Sequence, residues 1–405
     1  MSVDLATIPR MDISFGDPDF VRNPWATLRE IRESGPVVFN GALNSWMVGG
    51  YRDVARVMGN AASFTTEKLG ETYAGLFGGN TMQFDDTPRH DLIKAVWSTQ
   101  MQRDNLAPLA SMIAEIVDLR LLPFMEQIRS GEAVEARQHL TRGIPTMVIA
   151  RMMGIPEERY EEFGDWSDAM GGILGGILDT SEAGKEAVRV GQIATRKMNE
   201  FCTEVINDRR KRPTDDLVSA MVHSDVAKHQ MSEQEIVASL SQLVFAGNET
   251  TANLMALTLE ILAANPDQRR MLAQDRSLIP AAVEEINRWS TPVAVKSRTT
   301  RGGAAKIGGI PIPDDSAILC LPIGANRDPE HWDDPDRFNV KRTPKSHLGF
   351  GFGKHVCLGL NLGRLEAIVW LNRLLDELPE WEVAEVDYGR NFFVRGPKSI
   401  SITAA

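Results

Sequence analysis

The sequence predicts a mainly α fold, and three stretches carry that prediction. From Leu106 to about Arg212, apolar residues recur in successive amphipathic helical runs. Ser232-Glu-Gln-Glu235 has the form of a capping box, and helical periodicity continues from it until Asn265-Pro266 stops it. Further on, Leu360, Leu362, Leu365, Ile368 and Leu371 return at helical spacing. Extended patterns are brief, as in Trp46-Met-Val48 and Ala317-Ile-Leu-Cys-Leu321.

A chain of 405 residues suggests two or three domains by length. No Pro/Gly/Ser-rich linker, low-complexity tract or internal repeat divides it. Acidic groups outnumber basic ones by 55 to 44, a net charge of −11. The longest basic run is Arg209-Arg-Lys-Arg212, which reads as a solvated helix end before Pro213, so nucleic-acid binding is not expected. The first residues carry neither a basic region nor an apolar core for export, and no run of about 18 apolar residues offers a membrane span. Three cysteines, at 202, 320 and 357, give an odd count that fits a reducing cytoplasm. Cys202 and Cys320 sit in apolar segments and read as small core residues.

In chain order, Trp46-Met-Val48 reads as extended, turning at Gly49-Gly50 into a helix. Residues 64–86 lack a clear period and carry glycines at 70, 75, 78 and 79, so a long loop is expected, of the kind that tends to be functional. Thr87-Pro88 starts a helix that places His90 and Lys94 on one face. Trp97, one turn on, has no evident role. Met170-Gly-Gly-Ile-Leu-Gly-Gly-Ile-Leu178 reads either as a tightly packed turn or as a mobile lid. The middle of the long helix holds Ala246-Gly247-Asn248-Glu249-Thr250-Thr251, poor helix formers with a carboxylate and hydroxyls, and such a local exception marks a functional site. Glu285 and Arg288 can pair three apart on a later helix.

The richest stretch is His347-Leu-Gly-Phe-Gly-Phe-Gly-Lys-His-Val-Cys357-Leu-Gly359. It puts a single cysteine just before a helix, where the positive end of the dipole is expected to lower the thiol pKa and hold a metal-binding thiolate. The glycines let backbone N–H groups approach the sulfur.

Phe350-Gly351-x-Gly-x-His355-x-Cys357-x-Gly359 resembles the haem-binding loop of the cytochromes P450, with every anchor position filled. Three further motifs follow the order of that family, and the likeness runs from Trp46 to Gly396. It implies one domain over residues 1–405, mainly helical with a small β-rich region, with haem b between the long helix and a Cys357 thiolate that is the iron ligand. Ala246 and Gly247 would lie over the haem, Glu249 would be the acid and Thr250 the hydroxyl that deliver protons to dioxygen. His90, Lys94, Arg298 and His355 would meet the propionates, lysine standing where the family has arginine. Glu285, Arg288 and the Arg337 of Asp334-Pro-Asp-Arg-Phe338 would brace the haem side. The apolar pocket would draw on Phe77, Met82, Phe84, Leu243, Val293, Ala294 and Val295, with Phe393 and Val394 from a closing hairpin. Lys296 could contact a propionate, face solvent or meet an acidic substrate.

The activity so implied is reductive activation of O2 and insertion of one oxygen atom into a small apolar substrate. No flavin or iron–sulfur module is recognised in the chain, so electrons would come from a ferredoxin and ferredoxin reductase or from a flavin-containing partner. That partner would dock nearest Cys357, with Lys354 and Arg364 as a basic patch. Two other readings stay open: a peroxide-driven member of the same family, and a zinc or haem-sensing site built on His347, His355 and Cys357.

Overall fold

The structure, a computed structural model, describes residues 8–177, 181–303 and 305–405. Residues 1–7, which hold the segment read above for an export signal, and Leu178, the end of the glycine-rich run, lie outside them. The helix Glu233–Ala264 runs through the middle, about 48 Å long at about 1.5 Å per residue. Its capping box forms as expected: Ser232 Oγ accepts from the Glu235 N–H (3.2 Å), and the Glu235 carboxylate accepts from the Ser232 N–H (2.9 Å). The helices Gly143–Met152, Tyr160–Gly176, Glu182–Lys211 and Leu360–Glu377 all pack on it. Being wrapped, it is apolar almost all round and shows no narrow stripe.

The β region is small. A six-stranded sheet places Ala317–Cys320 between Ser45–Val48, parallel to it, and Lys296–Thr300, antiparallel, with Lys296 opposite Cys320 and Arg298 opposite Ile318. A second sheet joins Trp381–Asp387, Ser399–Ala404 and Val134–Glu135. Those first two strands are the closing hairpin, so Phe393 and Val394 sit in its connection and not in its strands. There Val394 bridges Val293, and the Ala294 N–H donates to Phe393 O (3.1 Å).

Several expectations change. The stretch expected as a loop at 64–86 contains the helix Glu67–Phe77 and a single 3-10 turn at Met82–Phe84. A Cβ at Gly70 would crowd Phe84, so that glycine lets the helix lie against the turn. The glycine-rich run is neither turn nor irregular lid through residue 176; it finishes the helix Tyr160–Gly176. Its glycines permit close approach to the helix Glu182–Lys211, where Gly176 meets Gly184 O and Gly191 meets Ala169 O. Trp97 gains a role: fully buried, it donates from Nε1 to Leu217 O (2.9 Å), tying Pro88–Ser98 to Leu217–Val222. The basic run is the exposed helix end expected, ending at Lys211, with Arg209 alone turned inward to pair with Asp216 (2.5 Å) and donate to Gly154 O.

The bracing network is corrected in one member. Arg288 and Glu285 pair through two bonds of 2.6 and 2.8 Å, both side chains being buried. The third member is Arg342, whose Nε reaches Glu285 Oε1 at 3.1 Å; Arg337 is exposed and lies 3.9 Å from Asp334. Asp334 takes the left-handed region at φ 48° in the turn that precedes Arg337, and Arg342 caps that turn on the carbonyls of Asp333, Asp334 and Arg337.

Candidate active site

The Cys357 loop is held by its own backbone and by one lysine. The Cys357 N–H donates to Phe350 O (2.8 Å), and the chain turns through Gly351 at φ 80° and Gly353 at φ 71°, conformations that glycine adopts without strain. Gly353 also lies so close to Met58 O and the Gly59 backbone that a side chain would collide. Lys94 Nζ donates to the carbonyls of Lys354 (3.0 Å) and Val356 (2.8 Å). The following helix starts at Leu360 with Gly359 as its cap. Cys357 thus opens into a cavity of about 360 Å³ although it lies deep in the protein.

Its thiol pKa moves against expectation. Burial pushes it above the ordinary value and outweighs Lys296, the Gly359 N–H, Lys94 and Arg364, all of which pull it down. The helix terminus alone does not make a thiolate here, whereas a bound metal ion deprotonates a thiol outright.

The central helix forms the facing wall through Leu243, Ala246, Gly247 and Thr250. It remains α-helical through this run, with no distortion that frees a carbonyl. Instead Thr250 Oγ1 donates to Ala246 O (2.8 Å). Glu249 points away from the cavity: it is buried, Oε1 accepts from Lys398 Nζ (3.0 Å), and Oε2 lies against Gly171 without a hydrogen-bond partner. Asn248 is turned to Thr146 (2.6 Å) on that same far side.

Four residues are expected at the propionates, and all four line the cavity. His90 Nδ1 meets Asp91 (2.9 Å), and burial lowers its pKa, so it is neutral. His355 Nε2 meets Asp86 Oδ1 (2.6 Å), a carboxylate also held by Thr65 and the Thr66 N–H. Lys94 is committed to the loop carbonyls. Arg298, 5 % exposed, has one acceptor, Ser297 O (2.8 Å), and makes no ion pair among the described residues.

Phe77, Met82, Phe84, Val293, Val295, Phe393 and Val394 line the cavity, whereas Ala294 does not and is a buried strand-like contact; Gly351, expected in the haem-binding loop, forms a turn of that loop. Lys354 and Arg364 are not a free basic patch. Lys354 Nζ donates to Asp86 O (2.9 Å) and Thr87 O (2.7 Å), and Arg364 forks onto Glu284 (2.7 and 2.6 Å). His347 also faces Glu284 (3.3 Å), and among the described residues no group of His, Cys, Asp and Glu gathers to hold a metal ion, which removes the zinc alternative.

Several polar residues at the site escape sequence reasoning, Gln83 and Gln242 (2.7 Å apart) among them. Asp86 is another, and so is Glu366: buried, its Oε2 without a partner, and pushed up to about 8 by that burial. A signal for Glu366 existed, since Leu362, Glu366 and Trp370 share one helical stripe and the carboxylate interrupts it.

The donor set therefore fits a flat apolar macrocycle that carries acidic edge groups and whose metal would take the Cys357 sulfur. The thiol opens into the cavity, apolar side chains face it, and Arg298 offers an anion a guanidinium with no acid of its own.

Comparisons agree. The chain matches the Cytochrome P450 family across residues 23–390. It is 30% identical to "Polyketide biosynthesis cytochrome P450 PksS" of Bacillus subtilis (strain 168), covering 95% of this chain and 96% of that one. It is 32% identical to "Mycinamicin IV hydroxylase/epoxidase" of Micromonospora griseorubida, covering 88% and 89%. Among solved structures, cytochrome P450 CYP109Q5 from Chondromyces apiculatus superposes with a TM-score of 0.85 at 30% identity, over 97% of this chain and 99% of that one.

Proposed function

The chain belongs to the cytochrome P450 family of haem-dependent oxidoreductases, and from that premise we propose a single-domain monooxygenase, residues 1–405, that oxidises a small apolar organic molecule. Electrons would come from a ferredoxin and its reductase or from a flavin-containing partner, and the setting would be cytoplasmic. Among the described residues no helix is long and apolar enough to cross a membrane. The observation that carries the reading is one cavity lined by the Cys357 thiol, by Thr250 and by apolar side chains.

When bound, haem supplies the reductive activation of dioxygen and the transfer of one oxygen atom. The chain's own residues do the rest. Cys357 would ligate the iron, its loop braced by Lys94 and its turn fixed by Gly351 and Gly353. Phe350, Gly359, Ala246 and Gly247 would bound the two faces of the ring. Phe77, Leu243, Val295 and Phe393 exclude water and hold an apolar substrate by surface burial, worth about 25 cal/mol per Å² removed from water.

Thr250 Oγ1 holds a proton that it shares with Ala246 O, and it can donate that proton into the cavity by turning from the carbonyl. Glu249 would take up protons on the far side of the helix, where Lys398, 41% exposed, links it to solvent. The two groups therefore stand in series across the helix and not side by side in the pocket. Thr250→Ala should leave haem and substrate binding nearly intact while raising the share of NAD(P)H that ends as peroxide. Product, peroxide and NAD(P)H consumption measured together check this. A fully coupled Thr250→Ala enzyme would sink the assignment, and turnover of the wild type with peroxide alone, but not with reductase, would favour the peroxide-driven reading.

A further inference from the structure

Two cations stand on one face of the strand Lys296–Thr300. Side chains alternate along a strand, so residues 296 and 298 share a face, their Cα atoms about 6.5–7 Å apart. Both line the cavity. Arg298 has the Ser297 carbonyl. The Lys296 ammonium has no hydrogen bond and no ion pair among the described residues, and the titratable groups that act on it are the Cys357 thiol and the Arg298 guanidinium. Burial pulls its pKa down to about 8, against the sulfur's opposing pull. The side chain is half-buried and lines the cavity with no acid or acceptor of the chain beside it, so its natural complement is an anion that enters the cavity.

The other basic residues at this end are already engaged. Lys94 donates to the carbonyls of residues 354 and 356, next to Cys357 in sequence, and so braces the thiol loop. His355 is on Asp86 and His90 on Asp91. Lys296 and Arg298 are left without an acid.

We propose that Lys296, and not Lys94, is the second propionate-binding cation of this protein, holding a haem carboxylate beside Arg298 through a charge-assisted hydrogen bond. The proposal rests on the haem-binding reading given above. Lys94 then serves the loop: its hydrogen bonds fix the backbone that presents Cys357, so its loss would act on the thiol side.

The test is haem loss from the holoprotein to excess apomyoglobin, followed for the wild type, Lys296→Met, Lys296→Arg and Lys94→Met. Each is reconstituted once with haem and once with haem dimethyl ester, which has no propionate charge. With haem, Lys296→Met should lose the cofactor about 10- to 100-fold faster than wild type, the range expected when a hydrogen bond to a charged group is removed. Lys296→Arg should stay near wild type. With the dimethyl ester the gap between wild type and Lys296→Met should close, whereas any effect of Lys94→Met should persist. An unchanged rate in Lys296→Met, or a gap that survives esterification, overturns the proposal. So does the pattern of an acid-substrate anchor: unaltered haem loss, with dodecanoate no longer shifting the ferric spin state in Lys296→Met alone. A wild-type protein that takes up no haem would bring down the cofactor reading itself, a result distinct from these.

Discussion

Cys357 and Glu366 show how burial sets the chemistry of single residues. Cys357 opens into the cavity, whereas Cys202 and Cys320 are fully packed and burial pushes both thiols up to about 12. Neither can replace it as a ligand, so Cys357→His should abolish the red-shifted band of the reduced carbon monoxide complex. A variant that keeps the band would place the thiolate elsewhere. Glu366 offers a pH test. Its folded pKa, about 8, lies above the unfolded carboxylate value of about 4.3. Between those values the folded state binds the extra proton, so this residue makes stability fall as pH rises, by at most about 1.4 kcal/mol per unit. Glu366→Gln removes the dependence. The melting temperature of the variant relative to wild type should therefore climb from about pH 5 to about pH 8 and then level off. A difference independent of pH would show that Glu366 is ionised in the holoprotein.

At the scale of elements, the Glu285 network ties the helix Ile279–Ser290 to the turn that follows Asp334. Arg342 reaches Glu285 and donates to the carbonyls of Asp333 (2.6 Å), Asp334 (3.0 Å) and Arg337 (2.8 Å), so it closes the turn as well as the charge. Arg342→Ala should cost about 2–3 kcal/mol, because a largely buried carboxylate loses one partner and three carbonyls lose their donor. Arg337→Ala, an exposed pair, should cost less than about 1 kcal/mol. Denaturant midpoints of the two variants compare them, and equal losses would restore Arg337 to the network. The sequence could place the motif but not choose between two arginines five residues apart, because the choice rests on which of them caps the turn at Asp334. Caps and long periodic helices were legible, as at Ser232 and Thr87, since their hydrogen bonds are local. The helix Glu67–Phe77 and the glycine-rich end of Tyr160–Gly176 were not, because glycines lower local propensity, and those at 70, 171 and 176 serve contacts with Phe84, Glu249 and Gly184. Part of the cavity wall was expected from the family likeness, as at Met82, Leu243 and Val293, but Gln83, Gln242 and Glu366 also line it and Ala294 does not. The commitments of the site residues were not legible: that Lys94 holds carbonyls, that Glu249 faces outward and that Lys296 stands unpaired are facts of three-dimensional neighbourhood.

For the whole molecule the question is how an electron donor finds the face nearest Cys357. The protein carries −11, and an acidic ferredoxin would meet net repulsion. A local basic patch could reverse that, but the two cations expected to form it are matched within the chain. Arg364 forks onto Glu284, whose carboxyl is drawn down to about 2 by His347 and Arg364 against the effect of burial. Lys354 donates to two carbonyls and lies 3.6 Å from Asp91. Phe352 and Val356, on the same loop, are exposed and apolar. With long-range repulsion and little local attraction, added salt should help. Lengthening or shortening the Debye length is the direct lever: it is about 30 Å at about 0.01 M ionic strength and about 8 Å at about 0.15 M. The second-order rate of haem reduction by an acidic ferredoxin should therefore rise across that range, as screening removes repulsion before it weakens any short-range contact. Stopped-flow reduction under carbon monoxide measures it. A rate that falls steeply with salt, and falls again when Lys354 or Arg364 is reversed in charge, would mean that these side chains leave their internal partners to meet the donor.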